Sequence, residues 1–211
     1  MKARDAMWLA LRDLYANAWR LLVVNAALGA ALVVSVLAAL AFPLAAVLVV
    51  ATGPIVAALV HCAVTLVRTG NLELADAWWG FRLHWRRGLA LATLGAAVAA
   101  LGVLGVRFYT ATSLWPLAFL TLYVLVLLAI YQLVLWTLAI AVPDRTLSGA
   151  ARESAVLALA RPGHTLALGL ALLLVNVAGI AAAVMPFLTL TIAYTFLVTA
   201  RCLVTPEEEA A

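Results

Sequence analysis

Long apolar runs alternate with short polar interruptions along the whole chain. Six stretches meet or approach the roughly 20 apolar residues that a helix needs to cross a bilayer: 21–42, 44–67, 88–106, 115–142, 164–185 and 186–204. Pro43 alone divides the first pair, and Met185-Pro186 alone divides the last. Proline lacks a backbone donor and turns the residue before it away from helix, so each pair predicts a tight hairpin. One helix per pair would need more than about 40 residues to cross a slab of roughly 30 Å, which the helical rise forbids. The pattern predicts an all-α polytopic membrane helix bundle with six transmembrane helices in residues 21–204. An amphipathic entry segment, 1–20, precedes them, and an acidic tail, 205–211, follows.

Finer periodicities lie between and within the runs. Met7, Leu11, Leu14 and Ala18 form one stripe, with Arg4, Asp5, Arg12 and Asp13 off it. That spacing predicts an entry helix along the membrane surface or one that extends the first span. Residues 71–87 predict a short amphipathic helix of their own. Leu74, Trp78, Phe81 and Trp85 share one face, and Glu73, Asp76, Gly80, His84 and Arg87 share the other. Asn71 is placed to cap its start, with acids in the first turn and arginines in the last, as the helix dipole favours. In the third span Gly88, Ala92, Gly95, Ala99 and Gly102 recur every three or four residues, and all are small. Inside lipid such a stripe marks close backbone approach by another helix, of this chain or of a second copy in a homo-oligomer. A weak duplication also shows: span, short segment and span occur as 44–67, 71–87, 88–106 and again as 115–142, 146–161, 164–185.

Composition sharpens the membrane assignment. The chain is 68% hydrophobic and 10% charged, against about half and a quarter for soluble domains. All nine acids fall outside the apolar runs, where a charge would cost at least ~2.5 kcal/mol at mid-bilayer. Twelve Lys and Arg residues fall on one side of the proposed topology, and Arg107 alone on the other. The positive-inside rule then puts both termini in the cytoplasm. A cleaved signal peptide ending at Ala39-Leu40-Ala41 fits poorly, because its apolar region would be too long. The net charge of +4 reads as attraction to anionic lipid headgroups, with no nucleic acid partner. Cys62 and Cys202 sit at the inner ends of runs, where thiols stay reduced.

Candidate chemistry is sparse. Polar side chains inside the spans include Asn25, Thr52, His61, Gln132 and Asn176, and none is charged. Ion-coupled transporters carry acids or bases at mid-membrane, so the pattern argues against ion coupling. Gly53-Pro54 interrupts the second span and predicts either a kink or a binding site, with Asn25, Gln132 and Asn176 as further members of a small-solute path. His61, His84 and His164 with Glu73, Asp76 or Glu153 are the sole residues that could build a metal site, and no metal-binding spacing supports one. The chain contains no nucleophile elbow, P-loop or dinucleotide turn. No catalytic residue, cofactor or enzymatic activity is expected.

Three motifs carry a resemblance: Asn25…Pro43, Thr52-Gly-Pro-Ile-Val-Ala-Ala-Leu59, and Asp76-Ala-Trp-Trp-Gly-Phe-Arg-Leu-His-Trp-Arg-Arg-Gly-Leu89, with Ala160-Arg-Pro-Gly-His-Thr-Leu166 as a later corner. Together they resemble the YesL-like family of bacterial multi-pass membrane proteins, a domain of unknown function. The resemblance implies a bacterial inner-membrane protein associated with carbohydrate uptake, and it brings no catalytic residues. The expectation is a non-enzymatic accessory or scaffold subunit embedded in lipid. The three tryptophans at this boundary read either as headgroup anchors or, in Trp78, Trp79, Arg82, Trp85 and Arg86, as the surface that meets a membrane-transporter or cytoplasmic partner.

Overall fold

The computed structural model describes residues 3–160, 162–181 and 190–204. Every regular element among them is helical: α1 (Ala3–Ala16), α2 (Ala18–Ala41), a 3-10 turn (Pro43–Val47), α3 (Leu48–Ala51), α4 (Gly53–Thr69), α5 (Leu74–Ala111), α6 (Trp115–Ala141), α7 (Leu147–Ala160), α8 (Pro162–Ala181) and α9 (Ile192–Leu203). Helices long and apolar enough to cross a membrane are α2, α3 with α4 (Leu48–Thr69), α5 and α6. α7 and α8 meet at a bend of 104° and together make a fifth candidate. α9 has 12 residues, and the expected run 186–204 overlaps residues 182–189, which lie outside the described ones, as does the tail 205–211.

Local chemistry explains the element ends. Phe42, before Pro43, adopts an extended conformation and stops α2. Gly70 closes α4 in the left-handed region at φ +71°, its N–H bonded to the Leu66 carbonyl at 3.0 Å. Ser113 at φ 59° reverses the chain after α5, and Pro116 stands in the first turn of α6.

α4 is the centre of the bundle. Ala57–Val60, Cys62–Val64, Leu66 and Val67 are all buried, covered by α2, α5, α6 and α9. On α2, α5 and α6 many large apolar side chains face outward, including Val34, Leu40, Leu101, Leu104 and Phe119, as lipid-facing helices do. The entry helix is not loose on the surface. Tyr194 on α9 donates its hydroxyl to the Met7 carbonyl at 3.1 Å, and Arg201 pairs with Asp13 through Nε at 2.8 Å. α1 therefore runs alongside α9 in the same direction. Its buried face is Ala6, Ala10 and Leu14, with Asn17 just beyond; of the predicted stripe Leu14 is buried and Met7 half-buried, while Leu11 is exposed. Small alanines let α1 approach α9 closely, which hydrophobicity alone does not register.

A larger correction concerns 71–87. No separate helix forms there: α5 runs unbroken for 38 residues, about 57 Å at 1.5 Å per residue. It begins two residues later than a cap at Asn71 would place it, with the Asp76 carboxylate accepting the Glu73 N–H at 2.8 Å. The Asn71 side chain instead accepts the Leu72 N–H and an Arg20 N–H. The predicted repeat is not reproduced in geometry, because α5 is continuous where α7 and α8 are sharply bent.

Candidate functional site

The register between α4 and α5 places every candidate residue. A Cβ built on Gly53 would lie 2.4 Å from the Gly88 carbonyl oxygen, and one on Gly88 would lie 2.6 Å from that of Gly53. Two helices touch backbone to backbone at this point. Two turns closer to the start of α5, a Cβ on Gly80 would lie 2.7 Å from His61 Cβ. Residues 74–87 thus pack beside the second half of α4 instead of projecting beneath the bundle.

That packing turns the face of Gly80 and His84 inward and the tryptophan face outward. Gly80, His84 and Gly88 are buried, while Trp78 is 61% exposed, Trp79 64% and Trp85 43%. Inside a bilayer protein the helix that approaches most closely needs small residues, so glycine, not tryptophan, marks the inner face. The outward face is ordered. Trp78 and Phe81 lie nearly parallel, centroids 5.9 Å apart, and the Arg86 guanidinium covers the Trp85 ring at 5.1 Å. Arg82 is exposed beside them.

The inner face ends in a set of arginine contacts that the periodicity had not revealed. Arg87 reaches the C-terminal end of α6, donating to the carbonyls of Ala139 and Arg145 at 2.8 Å each, to Val142 at 3.4 Å and to Pro143. Arg68, from α4, donates to Ala141 at 2.8 Å. A helix C-terminus leaves four carbonyls without intrahelical partners and carries partial negative charge, and Pro143 prevents further helical turns from satisfying them. Two guanidiniums from neighbouring helices satisfy those of Ala139 and Ala141 here. Arg145 itself pairs with Glu153 of α7.

Compared with protein-family models, curated proteins and solved structures, the chain matches none of them. The site is therefore read from its geometry.

His61 and His84 face each other across the α4–α5 interface with ring centroids 5.3 Å apart, and Asp76 and Arg68 lie within electrostatic range of His61. His164, the third histidine, has no described side chain. Among the described residues no group of three or more His, Cys, Asp or Glu is placed to hold a metal. His84 precedes the apolar part of α5 and is 2% exposed.

Asn25, Pro54 and Asn176 do not line the groove that holds the other two residues of the expected solute path. Asn25 is fully buried in α2. The Asn176 amide donates to the Thr195 hydroxyl at 2.8 Å and joins α8 to α9. At the turn before the Gly53-Pro54 interruption the Thr52 hydroxyl donates to the Val49 carbonyl at 2.6 Å. Gly53 and Gln132 do share an open groove with Gly95 and Ala99, but its other lining residues are almost all apolar. Within the small-residue stripe, Gly88 and Ala92 meet Gly53, Gly102 meets Leu125 of α6, Gly95 has ordinary clearance from Gln132, and Ala99 is exposed.

Proposed function

We propose that this chain is a non-enzymatic accessory or scaffold subunit of a membrane complex, with the outward face of the first half of α5 as its docking surface. The observation that carries the reading is the ordered patch of Trp78, Phe81, Trp85 and Arg86, with Trp79 and Arg82 exposed beside it. Tryptophan and arginine dominate binding hot spots, because they bury much area for little lost freedom. The opposite face of the same helix is locked by Gly80, His84 and Arg87, so the patch is presented on a rigid element.

Six spans with both ends in the cytoplasm complete the proposal. Its support is the twelve-to-one charge bias and the pairing of Arg201 with Asp13 and of Arg20 with Asn71. These contacts gather the first helix, the α4–α5 turn and the last helix at one end. Carbohydrate uptake as the process, and a bacterial inner membrane as the location, rest on the resemblance to YesL-like proteins.

Gentle extraction of tagged protein from its native membrane should bring a transporter subunit with it. Replacing Trp78, Trp79 and Arg82 together by alanine should cut that recovery at least tenfold while the amount of inserted protein is unchanged. Recovery of the wild-type chain alone would sink the proposal. So would a companion retained by the triple variant, which would leave the tryptophans as headgroup anchors.

A further inference from the structure

A second feature lies at the other side of the molecule, away from the α5 face. Between α6, α7, α8 and α9 is a cavity of about 320 Å³, lined chiefly by Ile130, Leu133, Leu157, Leu168 and Leu172, with Thr165, Thr199 and Cys202 as its polar side chains. We propose that it holds an acyl chain of an anionic membrane phospholipid.

Its volume falls at the lower end of the range for small-ligand sites, roughly 300–1,000 Å³. Its lining selects hydrocarbon. Among the described residues none of its lining side chains is charged, and the Thr199 hydroxyl is already committed to the Thr195 carbonyl at 2.8 Å. Water entering such a space finds few of the polar partners it needs, whereas an empty space forfeits the dispersion contacts of its walls. One wall is fixed by close contact: a Cβ on Gly169 would lie 2.5 Å from the Ile130 side chain, so α8 and α6 cannot shift together to fill the void without clash.

The source of the chain follows from position. The cavity lies at the 104° bend between α7 and α8, and α7 turns Val156, Leu157 and Leu159 outward, the last 77% exposed. Lipid therefore has apolar access along α7. The same helix exposes Arg152, at the end of the bundle where Arg68 and Arg87 are bonded to backbone carbonyls while Arg145 and Arg201 are paired with Glu153 and Asp13. An anionic headgroup complements that end, and the acyl tail complements the cavity.

Native mass spectrometry of the full chain in detergent, titrated separately with dioleoyl phosphatidylglycerol, dioleoyl phosphatidylcholine and oleate, tests the assignment. Phosphatidylglycerol should be retained at least tenfold better than either competitor. Ala158→Phe, which fills the cavity, should abolish that preference, and Arg152→Ala should weaken it several-fold. Equal retention of phosphatidylcholine overturns the anionic headgroup, equal retention of oleate overturns the phospholipid, and undiminished retention by Ala158→Phe overturns the cavity as the site. If that variant fails to fold, the wild-type protein decides. Phosphatidylglycerol should slow maleimide labelling of Cys202 several-fold, and an unaltered rate overturns the proposal.

Discussion

Gly88→Ala should destabilise the folded protein by about 2 kcal/mol or more, whereas Gly95→Ala, two turns along the same stripe, should leave stability unchanged or raise it. The added methyl at position 88 meets the Gly53 carbonyl oxygen at 2.6 Å and Ala57 Cβ at 3.0 Å. Neither can rotate away, because one is backbone and the other a single methyl on a buried helix. Relief requires α4 and α5 to separate, which loosens the contacts of the central helix. At position 95 the nearest atom is Gln132 Nε2 at 3.9 Å, an ordinary contact, so the higher helix propensity of alanine, about 1 kcal/mol, is gained without strain. Reversible unfolding in mixed detergent with both variants reads the difference. Equal effects at the two glycines would refute the register described for α4 and α5.

Arg87→Ala should cost about 2–4 kcal/mol, and Arg82→Ala less than about 0.5. Both remove one positive charge from the same short segment, so any loss of topological bias is shared. They differ in what is left behind. Without Arg87 the carbonyls of Ala139, Val142, Pro143 and Arg145 lose their guanidinium donors at the end of α6. Ala139 is buried, and its acceptor left without a donor costs more than the bond itself was worth. Arg87→Lys should recover less than half of the stability, since one ammonium cannot span carbonyls that a planar fork reaches together. The same unfolding assay applies. Near-equal losses for positions 82 and 87 would show that the arginines act through charge alone.

Much of the helical layout was legible in the residues. Pro43, Gly70 and Pro116 punctuate the chain where the elements break, because each acts through its own backbone dihedral. The small-residue stripe announced close packing, and Gly88, Ala92 and Gly102 do pack against α4 and α6. Less legible was 71–87, whose amphipathic pattern suggested a short helix separate from the third span. No proline stands there, and α5 continues because Gly88 is held against Gly53 rather than left to fray. The Arg87 contacts were hidden for a different reason: their partners are backbone carbonyls some fifty residues away, and a carbonyl has no sequence signature.

The division has a physical basis. Transfer of a helix to hydrocarbon sums over its own residues, so the apolar runs, their interruptions and the one-sided distribution of arginine followed from the sequence alone. Which side of each helix turns inward did not. Lipid is as apolar as a protein core, so hydropathy no longer separates inside from outside, and side-chain volume takes over that role. Only the packed structure could place Gly80 and His84 within the α4–α5 interface, turn Trp78 and Trp85 outward, and bring Arg68 and Arg87 to the end of α6.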